Sequence, residues 1–262
     1  MMNHPNLNTH NASLPLMLKQ LRLTAIKTQW QALAQKAISE HWAPDHYLSE
    51  LCHIELLARE DKRLQQYLKD ATLPVGKQLG GFDFSVLQGV TQVQVHQLIQ
   101  QNGWVKTGGN LLVFGASGVG KTHLVSSIGY GLAEAGIRVK FMAATALVQL
   151  LQRAKAELKL TEALNRLDKY AVLIVDDIGY VRKTEQESSV LFELIAHRYE
   201  RHSLIITSNQ SFEDWDKLFD DTVMTVAAID RLIHHATIIQ CEGGSYRRKS
   251  SMQNSSKNLS VN

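Results

Sequence analysis

The sequence predicts an α/β fold in which a small helical domain precedes a doubly wound parallel sheet. In the C-terminal part of the chain, short apolar runs alternate with helical stretches, and such runs are typical of strands buried on both faces. In the N-terminal part, apolar residues recur every three or four positions, which is the spacing of one helix face. The predicted strands are Leu111–Phe114, Val139–Met142, Val172–Val175, Leu204–Thr207 and Thr237–Ile239.

Composition divides the chain into consecutive segments. Residues 1–13 are polar and are predicted to be disordered, and residues 14–72 form the predicted helical domain. Residues 73–81 contain Pro and Gly and are predicted to be a linker. The sheet domain is expected over residues 82–249, and the tail 250–262, which is rich in Ser and Asn, is predicted to be disordered.

Individual helices can be placed from periodicity and breakers. The apolar positions of Leu14–Ile38 form one stripe, and Pro44 separates them from a second helix that starts near Tyr47. In the sheet domain, Gly136 is a suitable C-cap for the helix after the first strand. A single further helix is predicted over Ala144–Tyr170.

The composition is that of a globular protein with a substantial core, since 44% of the residues are hydrophobic and 20% are charged. The net charge of +3 permits nucleic-acid binding but does not indicate it. Cys52 and Cys241 cannot build a disulfide framework or a structural zinc site, and the histidines are interpreted as solvated or packing residues. Without an apolar leader or a run of about 18 apolar residues, a cytoplasmic location without membrane contact is expected.

The most specific motif follows the first predicted strand. The segment Gly115-Ala116-Ser117-Gly118-Val119-Gly120-Lys121-Thr122 fits the pattern GxxxxGK[ST] between a strand and a helix. In such a loop the backbone N–H groups and the helix N-terminus face phosphate oxygens, and the lysine reaches the β and γ phosphates. The threonine hydroxyl is a ligand for Mg²⁺. We therefore expect Gly115–His123 to bind a nucleoside triphosphate with Mg²⁺.

Polar residues end the next two buried strands. Asp176 and Asp177 follow the third predicted strand, at the sheet edge where open α/β sheets bind their ligands. Asp176 is predicted to hold Mg²⁺, and Asp177 is predicted to polarise the attacking water as general base. Asn209 follows the fourth strand, where its amide can hydrogen-bond the attacking water or the γ-phosphate, or simply form a turn.

In this order, the motifs resemble the AAA+ superfamily and, more narrowly, the IstB-like ATPases, which are related to the helicase loader DnaC and the initiator DnaA. The likeness covers residues 14–249 and implies an AAA+ P-loop sheet in a regulatory ATPase of DNA transposition that uses ATP and Mg²⁺. Besides the motifs above, it rests on Phe82-Asp83-Phe84, Asp177-Ile178-Gly179-Tyr180, Arg198-Tyr199-Glu200-Arg201, Phe212-Glu213-Asp214-Trp215, Asp230-Arg231-Leu232-Ile233-His234-His235-Ala236 and Glu242-Gly243-Gly244-Ser245-Tyr246-Arg247.

The resemblance also implies roles for three polar residues. Asn209 would be the sensor 1 residue, Arg231 the arginine finger that reaches the ATP of a neighbouring subunit, and Arg247 the sensor 2 arginine that contacts phosphate in its own subunit. A guanidinium beside the γ-phosphate neutralises charge in phosphoryl transfer. Arg231 could instead pair with Asp230, and Arg247 could instead contact DNA. Because an arginine finger acts between subunits, a homo-oligomer is implied, as a ring or a helical filament.

The sequence departs from the family pattern at two places. Asp177 stands where the family usually has Glu, and its carboxylate is one methylene closer to the backbone. A misplacement of that size can lower a rate by about a hundredfold. Slow hydrolysis is therefore expected, with the ATP-bound assembly as the working state. Val181-Arg182-Lys183 stands where relatives often have a proline, and it is interpreted as a solvated loop or a DNA contact.

The partners that the resemblance implies are double-stranded DNA and an IstA-type transposase. Arg59, Lys62 and Arg63 share one helix face and are the candidate DNA contacts, unless they are only solvated charges beside Glu60 and Asp61. A stripe of this kind, repeated in each subunit, adds weak phosphate contacts into sequence-tolerant and salt-dependent binding.

Two other functions share some of these motifs. A DnaC-like loader of a replicative helicase has the same ATP-site residues and differs only in its partner. A small-molecule P-loop kinase would need a lid with several arginines, and the stretch Ala144–Tyr170 is interpreted as helix without such a cluster.

Overall fold

A computed structural model describes residues 7–85, 87–180, 184–210 and 222–244. The chain divides into two compact units, Met1–Gln66 and Tyr67–Asn262. The second unit starts earlier than the predicted linker at 73–81, because Leu68 and Ala71 at the end of a long helix already pack into the core of the sheet unit. None of the described helices combines the length and apolar character that a membrane span requires.

The first unit consists of helices around a small core. Its helices are α1 (Leu7–Gln20), α2 (Thr24–Ser39) and the part of α3 (Pro44–Ala71) that precedes Tyr67. The buried apolar residues are Leu18, Ile26 and Leu51. Helix α1 begins inside the segment for which the polar composition predicted disorder, because polar residues of moderate helix propensity can extend a helix before its apolar face begins.

A buried carboxylate from α3 caps the N-terminus of α2. Glu55 is 4% exposed, and its Oε2 accepts hydrogen bonds from the N–H groups of Ala25 at 2.9 Å and Ile26 at 3.2 Å. Its Oε1 accepts from Arg59 Nε at 2.9 Å. Burial by itself raises the pKa of Glu55, but the hydrogen bonds from Arg59, Ile26 and Ala25 outweigh it and lower the pKa below its ordinary value. Glu55 therefore replaces the N-cap side chain that α2 lacks at Leu23.

The second unit is built on a five-stranded sheet of order β2-β3-β4-β1-β5 with all described pairs parallel. The predicted strands are confirmed, each extended by one to three residues in total. They are β1 (Asn110–Gly115), β2 (Val139–Ala143), β3 (Val172–Asp176), β4 (Ser203–Ser208) and β5 (Ala236–Cys241). The sheet order places the ends of β1, β3 and β4 side by side, so their polar termini meet at one edge.

Helices cover both faces of the sheet and bury alternate strand residues. The helices of this unit are α4 (Gln92–Gln100), α5 (Gly103–Lys106), α6 (Lys121–Glu134), α7 (Ala144–Ala156), α8 (Leu160–Leu167), α9 (Glu185–Arg198) and α10 (Thr222–Ile233), with short 3-10 turns at Leu79–Gly81 and Ile178–Tyr180. Leu112 and Phe114 of β1 pack with α7 to α10, whereas Leu111 and Val113 pack with α4 to α6. Burial on both faces explains why the strand sequences are continuously apolar.

At two places, a stretch predicted to be one continuous helix is divided into two helices, and the structural reason is the same. The stripe Leu14–Ile38 is broken between α1 and α2, and the stretch Ala144–Tyr170 is broken between α7 and α8. In each case the chain reverses at a left-handed residue, Arg22 (φ 58°) or Leu158 (φ 57°). The N–H groups of Leu158 and the next residue bond back to the carbonyls of residues 155 and 154, as in a Schellman motif. A left-handed residue at a helix end is usually Gly. Because Arg22 and Leu158 stand there instead, the sequence did not indicate these two helix ends.

The glycine end that was predicted is confirmed. Helix α6 ends at Glu134, and the N–H of Gly136 donates to the carbonyl of Ala133 at 3.0 Å. The following N–H, of Ile137, donates to Leu132 at 3.0 Å, which completes the same motif.

Asn110 joins three elements at the amino ends of the strands. Its Nδ2 donates to the carbonyl of Leu232 in α10 at 3.0 Å, and its Oδ1 accepts the N–H of Leu204 in β4 at 2.9 Å. Both bonds are buried. The side chain therefore fixes the end of α10 against β1 and β4.

Arg198 performs a similar task at the end of α9. The residue is 1% exposed, and its guanidinium donates to the carbonyls of Leu167, Tyr170, Ala171 and Ser203 at 3.0 to 3.3 Å. Burial lowers the pKa of Arg198 to about 10, against the opposing charge of Asp168, so the side chain stays protonated at neutral pH. Its role here is structural: it satisfies backbone carbonyls between α8, β3 and β4.

Candidate functional site

The phosphate loop has the conformation that its sequence predicts. It leaves β1 at Gly115 and enters α6 at Lys121. Gly120 is the N-cap of α6 with φ of +111°, in the region that favours glycine. No side chain at this N-cap accepts a hydrogen bond from the first turn of α6. The N-terminal N–H groups are thus not capped by the residue that precedes them, which suits an anion site.

Lys121 is held inside the loop. It is 5% exposed, and its Nζ donates to the carbonyl oxygens of Gly115 at 2.8 Å and Ala116 at 3.0 Å. A buried ammonium needs such partners, because desolvation without them is costly. The loop therefore carries a fixed positive charge next to its own backbone.

A chain of hydrogen bonds links the phosphate loop to both acidic residues. Thr122 Oγ1 lies 3.1 and 3.0 Å from the two carboxylate oxygens of Asp176. Thr207 Oγ1 donates to Asp176 Oδ1 at 2.7 Å and accepts the N–H of Asp177 at 2.7 Å. Thr207 thereby positions both carboxylate residues. Sequence reasoning missed this role, because it depends on β3 and β4 being neighbours in the sheet.

The donor set at this edge fits Mg²⁺. The hydroxyl of Thr122 and the carboxylate of Asp176 are hard oxygen ligands, and they lie within 3.1 Å of one another. Asp176 is 8% exposed. A buried carboxylate of this kind is expected to need a cation or several hydrogen bonds. The residues predicted to bind the metal are therefore brought together.

The backbone at Asp177 is unusual. Its φ is +59°, in the left-handed region that few side chains other than Asn and Asp adopt readily. The bond from its N–H to Thr207 stabilises this conformation. Asp177, which directly follows β3, is also one of the residues that line the cavity over the phosphate loop.

Asn209 lies against the turn that follows Asp177. A Cβ atom at Gly179 would overlap Asn209 Oδ1, so position 179 admits no side chain without displacing this amide. Asn209 Oδ1 is buried and, within the described part of the chain, has no hydrogen-bond partner. An unpaired buried acceptor of this kind is uncommon and marks a candidate functional position. Gly179 is a second residue whose role the sequence did not reveal.

A pocket of about 300 Å³ lies over the phosphate loop. Besides Ser117–His123 and Asp177, it is lined by Lys77, Gly81, Phe82, Asp83 and Leu87. The Phe82 ring meets the His123 ring edge-on, with centroids 5.0 Å apart. The volume of the pocket is at the lower end of the range for ligand pockets, and its aromatic wall suits a flat ring system. Lys77 and Gly81 belong to the predicted linker, which is therefore part of the site rather than a spacer.

Of the two arginines assigned by resemblance, Arg231 lies within the described residues, and it does not line this pocket. Arg231 lies on α10, where its Nη1 donates to the carbonyl of Ala227 at 3.0 Å and its guanidinium lies 5.4 Å from the Phe192 ring centroid. It is absent from the described lining of the pocket in its own chain. Arg247 lies outside the described residues, as do Val181-Arg182-Lys183 and the stretch 212–215.

The candidate DNA contacts lie on α3 and are exposed. Arg59 is also tied to Glu55, as described above, and donates to the carbonyl of Arg22 at 3.2 Å. Arg63 pairs with Glu60 at 3.2 Å in an exposed pair of low strength. These contacts leave Lys62 as the residue of the three for which the structure describes no ion pair.

This sheet order, the phosphate loop and the acidic end of β3 define an AAA+ type P-loop protein. The chain belongs to the family of IstB-like ATP-binding proteins, whose family model matches residues 16–254. The family expected from the motifs is therefore confirmed.

Named relatives fall in the same group. An insertion sequence ATP-binding protein of Sinorhizobium fredii is 46% identical over 250 residues, which cover 94% of this chain and 84% of that protein. The ATP-binding protein of insertion sequence IS21 of Pseudomonas aeruginosa is 35% identical over 90% of this chain and 89% of its own length.

Solved structures share the fold. The DnaC helicase loader has a TM-score of 0.52 at 22% identity and covers 64% of this chain and 98% of its own. DnaI has a TM-score of 0.54 at 20% identity, over 65% of this chain and 95% of its own. At these identities the likeness establishes the architecture of the sheet unit.

Proposed function

We propose that this protein is the regulatory ATPase of DNA transposition, which assembles on target DNA with ATP and recruits or activates a transposase. One observation carries the proposal: the chain is 46% identical, over 94% of its length, to an insertion sequence ATP-binding protein. The resemblance to DnaC does not favour a helicase loader to the same degree, because 22% identity supports only a common fold.

In the proposed ATP site, each residue acts on a different part of the triphosphate. Lys121 and the loop N–H groups bind the phosphates, and Phe82 and His123 contact the base. Thr122 and Asp176 would hold Mg²⁺, which when bound neutralises phosphate charge. Asp177 polarises the attacking water, and Asn209 orients that water or the γ-phosphate.

Nucleotide binding tests this part of the proposal. A Lys121→Ala variant removes the charge that faces the phosphates, so we expect a loss of affinity for a fluorescent ATP analogue of at least about a hundredfold, in line with the loss of a charge-assisted contact. The matched control is Lys106→Ala, because Lys106 is exposed and lies outside the pocket. Equal affinity of the two variants would refute the assigned role of Lys121.

Slow hydrolysis follows from Asp177. Replacing Asp177 by Glu moves the carboxylate one methylene further from the backbone, and we expect the rate of ATP turnover to rise by up to about a hundredfold. The left-handed backbone opposes this change: φ of +59° costs an ordinary side chain about 1–2 kcal/mol, and Asp adopts it more readily than Glu. The variant should therefore hydrolyse ATP faster but unfold at a lower temperature.

Asp177→Asn is the control variant, since Asn also adopts the left-handed backbone conformation readily but lacks the negative charge. Steady-state phosphate release is the measurement. If Asp177→Glu is no faster than the natural chain, the short carboxylate is not what limits hydrolysis.

Assembly between subunits is supported by the position of Arg231. Its guanidinium is not among the described groups that line the pocket of its own chain, which is what we expect of a residue that completes the site of a neighbour. ATP bound between subunits would favour the oligomer by mass action. Arg231→Ala should therefore bind ATP normally as a monomer, yet fail to form the ATP-dependent oligomer in light scattering.

The DNA contact is proposed for Arg59, Lys62 and Arg63. A transposition assay with the partner transposase and duplex target tests the whole function, since the natural chain with ATP should stimulate strand transfer. Lys62→Ala should weaken duplex binding at every sequence and reduce its salt dependence. Capture of a replicative helicase together with no effect on strand transfer would favour the loader instead.

A further inference from the structure

Two histidines and a glutamate meet at the edge of the sheet opposite the phosphate loop. Tyr199 and Glu200 follow α9 just before β4 begins, and His234 and His235 follow α10 just before β5 begins. Since all described strand pairs are parallel, these residues lie at the amino ends of the strands, whereas the phosphate loop lies at the carboxyl end of β1. The cluster is therefore separate from the nucleotide site.

The potential ligand atoms of the cluster converge. Glu200 Oε1 lies 3.9 Å from His234 Nδ1 and 3.9 Å from His235 Nε2. All three ligand atoms lie within 4.8 Å of one another, and the imidazole centroids are 4.0 Å apart. The 3.9 Å separations are too long for hydrogen bonds. They are close to the roughly 3.4 Å between ligands of a tetrahedral metal with bonds of about 2.0–2.1 Å.

The backbone beneath the cluster is fixed by the sheet. The carbonyl of His235 accepts the N–H of Asn110 at 3.0 Å, and the N–H of His234 donates to Asp230 at 3.0 Å. The hydroxyl of Tyr199 lies 2.8 Å from His234 Nδ1, the same nitrogen that lies 3.9 Å from Glu200 Oε1. Because the three side chains are about half exposed and their backbone is hydrogen-bonded, we expect side-chain rotation alone to close the remaining gap between the ligand atoms.

The chemistry of this set selects a class of ion. Imidazole nitrogens with one carboxylate are ligands of Zn²⁺ and of similar first-row transition metals, whereas Mg²⁺ and Ca²⁺ prefer oxygen ligands alone. The side chains are about half exposed, at 52%, 50% and 55% for His234, His235 and Glu200, so an ion can reach them from solvent. An ion here would leave one coordination position to water.

We propose that Glu200, His234 and His235 form a binding site for a Zn²⁺-like transition-metal ion at the amino edge of the sheet. The ion takes the place of the Tyr199 hydroxyl on His234 Nδ1. It joins the turn between α9 and β4 to the turn between α10 and β5. The proposed metal site is separate from the nucleotide site, and the ion binds with or without ATP.

The test uses the full chain, stripped of metal with a chelator and free of nucleotide. Zn²⁺ is titrated in competition with a chromophoric chelator, and Co²⁺ is titrated while its visible absorption is recorded, since four-coordinate Co²⁺ absorbs strongly. We expect one ion per chain, with affinity lowered at least about tenfold by His234→Ala, His235→Ala or Glu200→Ala. Zn²⁺ should also raise the melting temperature of the natural chain but not of the double histidine variant.

Three matched variants separate this site from other causes. His96→Ala and Cys52→Ser remove an exposed histidine and an exposed thiol elsewhere, and both should bind the ion as the natural chain does. Lys121→Ala should also bind it unchanged, so a failure of the proposed ATP function would leave this result intact. Absence of binding to the natural chain, or unchanged binding in the double histidine variant, would overturn the proposal.

Discussion

The two units of the chain are ordered by different means. The sheet unit buries apolar residues on both faces of its sheet, and strand residues such as Leu111, Leu112 and Ile174 are fully inaccessible. The helical unit, whose side-chain burial is described over residues 13–66, has three buried apolar residues there, and Glu55 is also buried in this unit. Small cores provide little stabilisation, so such a unit depends more on individual polar contacts.

Each unit nevertheless contains a buried charge that satisfies backbone groups. Arg198 serves carbonyl groups in the sheet unit, and Glu55 serves N–H groups in the helical unit. Arg198 has a fully buried side chain, whereas that of Glu55 is 6% exposed and is paired with a half-exposed Arg59. The expected energetic effect of each buried charge therefore depends on its depth and on the number of backbone groups that it satisfies.

The largest expected effect is at Arg198. Replacing it by Met keeps much of the volume but leaves buried carbonyls and Asp168 without their cation, so we expect a loss of about 3–5 kcal/mol in the free energy of unfolding. Urea denaturation measures it. Arg201→Met is the control, because Arg201 is exposed, and its effect should stay within about 0.5 kcal/mol. Similar losses in both variants would show that the carbonyl contacts contribute little.

A smaller effect is expected at Glu55. Glu55→Gln keeps the shape but removes the charge that faces Arg59 and two N–H groups, for a loss of about 1–3 kcal/mol. The local measurement is hydrogen exchange at the amides of Ala25 and Ile26, which should speed up most. The exposed Glu60→Gln is the control. If exchange at these amides is unchanged, another group must cap α2.

The pH dependence of the same residue follows from the direction of its pKa shift. Because the pKa of folded Glu55 is below the ordinary value of 4.5, its ionised form contributes stability above that pH. This contribution is lost as the pH falls through the folded pKa. The difference in unfolding free energy between the natural chain and Glu55→Gln should therefore be constant near neutrality and disappear in acid. A difference that persists in strong acid would contradict the assigned cause.

The smallest effect is expected at the exposed apolar side chains of the helical unit. Leu56 is 64% exposed, so Leu56→Ala removes little buried area and should change the unfolding free energy by no more than about 0.5 kcal/mol. Leu51→Ala, at a position only 7% exposed, should cost about 2–5 kcal/mol by contrast. Equal effects would mean that Leu56 is covered in solution.

The sequence predicted what depends on local pattern. Continuous apolar runs gave the five strands to within two residues, and the glycine pattern gave the loop that ends at Lys121. The helix ends at Arg22 and Leu158 could not be predicted, since the left-handed residue there is not Gly. Thr207 was also missed, because its contacts with Asp176 and Asp177 exist only once β3 and β4 are adjacent.

The same limit applies to the boundary of the sheet unit. Pro and Gly between residues 73 and 81 predicted a linker, yet Leu73 is buried in the core and Lys77 lines the pocket. A segment rich in Pro and Gly can still be part of the packed fold when its few apolar residues are buried in the core. Composition alone does not show this. The roles of Arg231 and of the basic residues on α3 remain predictions for the same reason, since they concern contacts between molecules.

The side chain of Asn110 has a mechanical consequence. Helix α10 carries Arg231, and its last turn is pinned to the first residue of β1 by a bond that water does not reach. If α10 moved along its axis, this bond would break, and the buried carbonyl of Leu232 would be left without a hydrogen-bond partner. Arg231 directly precedes Leu232, so a shift of its backbone along the helix axis must either break this bond or move β1 and β4 together with α10.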